Sequence, residues 1–148
     1  MKKDSNTTET KKLKKLSKLL HINLYAKLEM QNITGSIKDR AAYYILHTLM
    51  QSKQINTHTT IIESTSGNFG VALAHECKKL KLPCICVIDE NINPLNEIRI
   101  KTQNAESIKV FDQVQNGNLL LKRIKKAKEL HSTIQNSYWV NQYENPLN

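Results

Sequence analysis

The feature that most limits what this chain can fold into is an alternation of short apolar runs with helical segments of roughly 10–15 residues. Thr59–Glu63, Pro83–Ile88 and Ser107–Phe111 read as strands, and Tyr138–Val140 as a last strand-like piece. Between them the patterning predicts helices from Ser36 to about Ser52, after Asn68 to about Leu80, from Pro94 to about Thr102, and from Leu119 to His131. Strands separated by helices cannot be joined as tight hairpins; they pair in parallel through helical crossovers. The run Cys84-Ile-Cys-Val-Ile88 has no polar alternation, as expected of a strand covered on both faces. The expected class is therefore α/β, a parallel sheet flanked by helices. The sequence divides into a basic tail at residues 1–20, with the period of a short helix at Leu13, Leu16, Leu19 and Leu20, and a unit at 21–148 whose small α/β domain covers about 40–140. Ile22–Glu29 also alternates and reads as a strand.

Charge and composition narrow the function classes. The formal net charge is +9, of which seven lysines against Asp4 and Glu9 place +5 in residues 1–20. No aromatic residues interleave those lysines and no nucleic-acid motif follows, so neither nucleic acid nor membrane is expected as a partner. The start of the chain lacks the apolar stretch of a leader, and Cys77, Cys84 and Cys86 are odd in number, which together point to the cytoplasm. His75, Cys77, Cys84 and Cys86 do not have the spacing of a zinc site, and no metal is expected.

In open parallel sheets, ligands sit beyond the carboxyl ends of strands, where loops enter helices. Two loops answer to that description. Asn32-Ile-Thr-Gly-Ser-Ile-Lys-Asp-Arg40 delivers Lys38 into the first turn of a helix, where the helix dipole disfavours positive charge. Glu63-Ser-Thr-Ser-Gly-Asn-Phe-Gly70 leaves an apolar strand and opens a helix, a junction whose successive N–H groups form an anion cradle. Thr65, Ser66 and Asn68 add side-chain donors, and Gly67 permits close backbone approach. No Gly-Lys-Ser/Thr follows, which excludes a P-loop, and Gly-x-Ser-x-Gly is absent, which excludes a nucleophile elbow.

Together with a third segment, Asn141-Gln-Tyr-Glu-Asn-Pro146, these loops resemble the cysteine synthase and cystathionine β-synthase family of pyridoxal-phosphate (PLP) enzymes. The resemblance runs from about Leu24 to the end. It implies the smaller domain of a fold-type II PLP enzyme plus an amino-terminal segment. It implies Lys38 as the lysine that binds PLP as a Schiff base and then acts as a base. It gives the Thr65, Ser66, Gly67 and Asn68 loop to the substrate carboxylate, with Asn68 also at the cofactor's ring hydroxyl, and adds Gln142 as a further carboxylate contact. Asp39 and Arg40 are expected to be structural. The implied reaction is β-replacement on a serine derivative, with small amino acids as substrates and a homodimer or a complementing carboxy-terminal half as protein partner. Ser64, the Asp89–Asn96 stretch and Tyr138–Tyr143 look most like the branch that joins O-phospho-L-serine to L-glutamate on the way to 2,3-diaminopropionate, a siderophore precursor. O-acetylserine with sulfide is the alternative, and a non-catalytic remnant or split-enzyme subunit is another. The sequence departs from the family at Ile33 and Thr34, where proline and glycine are usual, at Asn104-Ala105, and near the amino terminus, where no Ile-Gly-x-Thr-Pro segment stands. Only Gly117 follows Gly70, so the family's second domain with its glycine-rich phosphate loop is expected to lie outside these 148 residues, and turnover by them alone is expected to be poor.

Overall fold

Every residue of the run Cys84–Asp89 is buried. A strand with no exposed side must be covered on both faces, and this one forms the centre of the molecule. The computed structural model describes residues 7–112 and 118–148; Met1–Asn6 of the basic tail and Gly117 lie outside the described residues. In chain order the elements are β1 (Thr10–Lys12), α1 (Lys14–Leu20), β2 (Tyr25–Lys27), a 3-10 turn at Glu29–Gln31, α2 (Lys38–Gln51), β3 (Thr60–Ser64), α3 (Asn68–Leu80), β4 (Cys84–Asp89), α4 (Pro94–Thr102), β5 (Glu106–Val110), α5 (Leu119–Thr133) and β6 (Ser137–Trp139).

Four of the strands form one parallel sheet in the order β5-β4-β3-β6. Ile61 pairs with Cys84 and Tyr138, and Ile62 with Ile85 and Trp139, so β3 is bounded on both sides. Successive side chains point to opposite faces. Ile61, Cys84, Cys86 and Ile88 enter the larger core with Ala42, Ile45 and Leu46 of α2, Leu73 and Cys77 of α3, and Ile100 of α4. Ile62, Ile85 and Val87 pack instead with Ala127 of α5, and Trp139 lies against them. The sheet is thus flanked by helices on both faces, as the alternation of runs predicts.

Helix ends follow local chemistry. Asn93 caps α4, its side-chain oxygen accepting the Leu95 N–H, and Pro94 occupies the first turn where its missing donor costs nothing. Asn118 caps α5 by accepting from Leu121 N–H. Lys81 ends α3 in the left-handed region, at φ 58°.

The segment Ile22–Glu29 differs from its expected form. Only Tyr25–Lys27 is a strand, and it pairs antiparallel with β1 in a separate two-stranded sheet. All three residues of β1 are exposed, so the lysine-rich segment carries a strand that no burial pattern announces. The helical period read within it does form α1. No helix among the described residues is long and apolar enough to cross a membrane.

Candidate functional site

Lys38 begins α2, and the loop that delivers it is fixed from behind. The Asp39 carboxylate accepts the Thr34 N–H at 2.7 Å and also the Thr34 hydroxyl. Arg99 of α4 donates to the Thr34 carbonyl oxygen at 2.7 Å. Gly35, at φ 78°, supplies the left-handed turn that a side chain would strain. Ile37 holds the cap position of α2, and the Ser36 hydroxyl beside it accepts the Lys38 N–H at 3.2 Å. Arg40 turns away to Thr8 and Glu29, both at 2.9 Å, which ties the loop to the amino-terminal segment. The Lys38 amine lies at the mouth of the site, 5.6 Å from the centre of the Phe69 ring and 3.4 Å from the Asn148 side-chain oxygen.

The second loop leaves the carboxyl end of β3. Thr65 is buried, and its hydroxyl oxygen accepts the Gly70 N–H at 3.0 Å and the Gly67 N–H at 3.4 Å. It is therefore folded beneath the start of α3, and its own hydrogen is what it has left to give. A Cβ on Gly70 would stand 2.4 Å from Thr65 Cγ2, so glycine is what lets helix and loop meet. Gly67 caps α3 without any side-chain hydrogen bond. The N–H groups of Ser66, Asn68 and Phe69 take no backbone acceptor among the described residues, and the Ser66 and Asn68 side chains are likewise unengaged there. Free N–H groups at a helix start, with a hydroxyl and an amide beside them, make one seat for an anion.

Gln142 follows β6 and closes the site from the far side. Its side-chain nitrogen donates to Glu63 Oε1 at 3.2 Å and to the Ser64 carbonyl oxygen at 2.9 Å, and its backbone N–H points to Glu63 Oε2 at 3.4 Å. Tyr143 donates to the same Ser64 oxygen at 3.4 Å. Glu63 has no exposed surface, and burial is the main reason its carboxyl is pushed up from 4.5 to about 7, against the hydrogen bonds from Gln142 that pull it down. Sequence reasoning missed Glu63. The signal was present, since a carboxylate inside an apolar strand always calls for a partner.

All six expected site residues, Lys38, Thr65, Ser66, Gly67, Asn68 and Gln142, line one cleft of about 380 Å³. The donor set fits part of PLP. An amine suits its aldehyde, and Asn68 and Ser66 suit its ring hydroxyl or an amino-acid carboxylate. The Ser64 hydroxyl is buried without a partner below the same loop. In this cleft the free donors gather at one place, the start of α3, so they could seat a carboxylate or a phosphate but not both. Among the described residues no group of three His, Cys, Asp or Glu side chains could hold a metal ion.

Known structures share this architecture. An O-acetylserine-dependent cystathionine β-synthase from Helicobacter pylori is 36% identical over 83% of this chain, with a TM-score of 0.76. A hydrogen sulfide-producing enzyme from Fusobacterium nucleatum is 31% identical over 84% of the chain, at TM-score 0.77. A second such enzyme from the same organism is 26% identical over 82%, at TM-score 0.74. The chain spans 39% of the first solved chain, 36% of the second and 39% of the third. Residues 3–148 match the model of the pyridoxal-phosphate-dependent enzymes, and the chain belongs to that family.

Proposed function

We propose that this chain carries the lysine and the carboxylate seat of a PLP-dependent β-replacement on a serine derivative. The observation that carries the reading is the single cleft that joins the Lys38 amine to the Ser66–Asn68 donors and Gln142. Lys38 would hold the cofactor through its amine. When bound, PLP supplies an electron sink for bond breaking next to the amino-acid nitrogen. The free N–H groups at the start of α3 would fix the substrate's carboxylate, with the Ser66 hydroxyl and the Asn68 amide beside them. Asn68 would also contact the cofactor's ring hydroxyl. With the carboxylate fixed, and once the substrate's amino group has displaced it from the cofactor, the freed Lys38 Nζ would take the proton from the substrate's α-carbon. Phe69 is buried beneath the amine and keeps water from one side of it.

For the substrates we propose O-phospho-L-serine and L-glutamate, in the synthesis of 2,3-diaminopropionate for siderophores. Ser64 and the Asp89–Asn96 stretch support this choice. A second reading, O-acetylserine with a sulfur nucleophile, is favoured by the O-acetylserine dependence of the H. pylori enzyme at 36% identity. Assay of both serine esters against glutamate and sulfide separates them. A homodimer or a complementing carboxy-terminal half is the protein partner we propose. Three buried free thiols support a cytoplasmic setting.

The test is to add PLP to the purified chain, record the visible spectrum, reduce with borohydride and map the labelled peptide. The expected label is on Lys38, absent in Lys38→Ala. Label spread evenly over the surface lysines would overturn the assignment.

A further inference from the structure

Glu63 is a buried carboxyl that the proposed reaction does not use. Its partners define a competition. The amide of Gln142 has two hydrogens, and both point inward, one to Glu63 Oε1 and one to the Ser64 carbonyl oxygen. Carbonyl and carboxylate oxygens only accept, so the amide nitrogen must face them and the amide oxygen must face away. In that orientation no Gln142 hydrogen is left for the carboxylate of a bound amino acid. One of the two can be released. The Ser64 carbonyl keeps its hydrogen in any protonation state, while the hold of Glu63 depends on its charge, because an ionised acceptor binds an N–H roughly twice as strongly as a neutral one.

We propose that Glu63 is a positioning residue that draws the Gln142 amide inward, in competition with the carboxylate of an amino acid bound in the Lys38 cleft. This rests on reading that cleft as the substrate site. Loss of the Glu63 charge frees the Gln142 amide hydrogen for the ligand. By linkage, occupation of the cleft by a carboxylate favours the protonated form of Glu63.

The charge is within reach of titration, since burial pushes Glu63 up to about 7. Its titratable neighbours are the Cys84 and Cys86 thiols of β4. The hydrogen bond with Cys77 and then burial hold Cys84 well above the usual thiol range; for Cys86 the contact with Cys84 comes first, then burial. Both therefore stay neutral while Glu63 titrates. No side chain of α2 or α3 forms an ion pair with Glu63 among the described residues.

The test follows the Glu63 side-chain carbon and the Gln142 side-chain N–H resonances by NMR from about pH 5 to about pH 8, on the full chain without cofactor. The Gln142 signals should move with the same midpoint as Glu63, near 7. Glu63→Gln, which keeps the shape and an acceptor oxygen, should remove the movement, and Glu63→Asp should restore a titrating response. Gln142 signals that stay still while Glu63 titrates, or that move equally in Glu63→Gln, overturn the proposal. Lys38 labelling by PLP is independent of this result, so a failure of the cleft reading and a failure of the Glu63 coupling are told apart.

Discussion

Burying the Glu63 carboxyl makes the folded chain hold a proton that the unfolded chain releases at lower pH. The raised value, about 7 against 4.5, fixes the sign. A group that binds its proton more tightly when folded contributes its full stability below the unfolded value, and that contribution is lost as pH rises through the folded value. The loss between about pH 4.5 and about pH 7 is on the order of 3 kcal/mol, taking roughly 1.4 kcal/mol for each pH unit. Glu63→Gln cannot ionise and escapes this term, so urea unfolding should show the variant gaining on the native chain as pH rises from about 5 to about 8. Equal stability differences at the two pH values would mean that the carboxyl titrates as an ordinary one. The same residue shows where reading the sequence stops. Lys38 and the Thr65–Asn68 turn stand in contiguous motifs, and their roles can be guessed from the order of residues. Glu63 and Gln142 lie 79 positions apart, and only the parallel pairing of β6 against β3 brings them together.

At the scale of elements, what the sequence foretells depends on burial. The helices Lys38–Gln51 and Leu119–Thr133 bury residues three or four apart on one face, Pro94–Thr102 buries Ile100, Asn68–Leu80 is buried nearly all round at its start, and the strands β3 and β4 are apolar or buried nearly throughout. Apolar stripes and runs of this kind are visible in the sequence. The strand β1 is held by backbone hydrogen bonds to β2, its side chains are all exposed, and it leaves no period to read, whereas β2 lies within the alternating run Ile22–Glu29. A polar tie joins two elements that periodicity does place. Asp89 at the end of β4 and Arg123 of α5 are both buried and stand 2.7 Å apart. Removing one member of such a pair strands the other charge, at a cost of about 3–5 kcal/mol. Arg123→Met should therefore lower the unfolding free energy by about 3 kcal/mol or more, and Asp89→Asn combined with it should recover part of that loss. A chemical denaturation series on the two single variants and the double variant gives the coupling. Additive losses would show that the two groups do not interact.

For the molecule as a whole, charge is the property that local motifs hide. A net charge of +9 on 148 residues repels itself more when the chain is compact than when it is unfolded. Several ion pairs offset this locally, Glu97 with Lys101 at 2.7 Å and with Lys109 at 2.6 Å among them, and these lysines hold the Glu97 carboxyl below its usual range. Exposed pairs of this kind contribute on the order of 0–1 kcal/mol each and weaken with salt. The repulsion among the remaining cations also weakens with salt, and it acts over every pair within a screening length, which is about 30 Å at 0.01 M and about 8 Å at 0.15 M. The sum of many unpaired repulsions outweighs a few local attractions, so raising sodium chloride from about 0.01 to about 0.15 M at neutral pH should raise the melting temperature. A thermal scan at both salt concentrations reads this directly. A lower melting temperature at the higher salt would mean that the ion pairs, rather than the excess of lysine, govern the electrostatics of the fold.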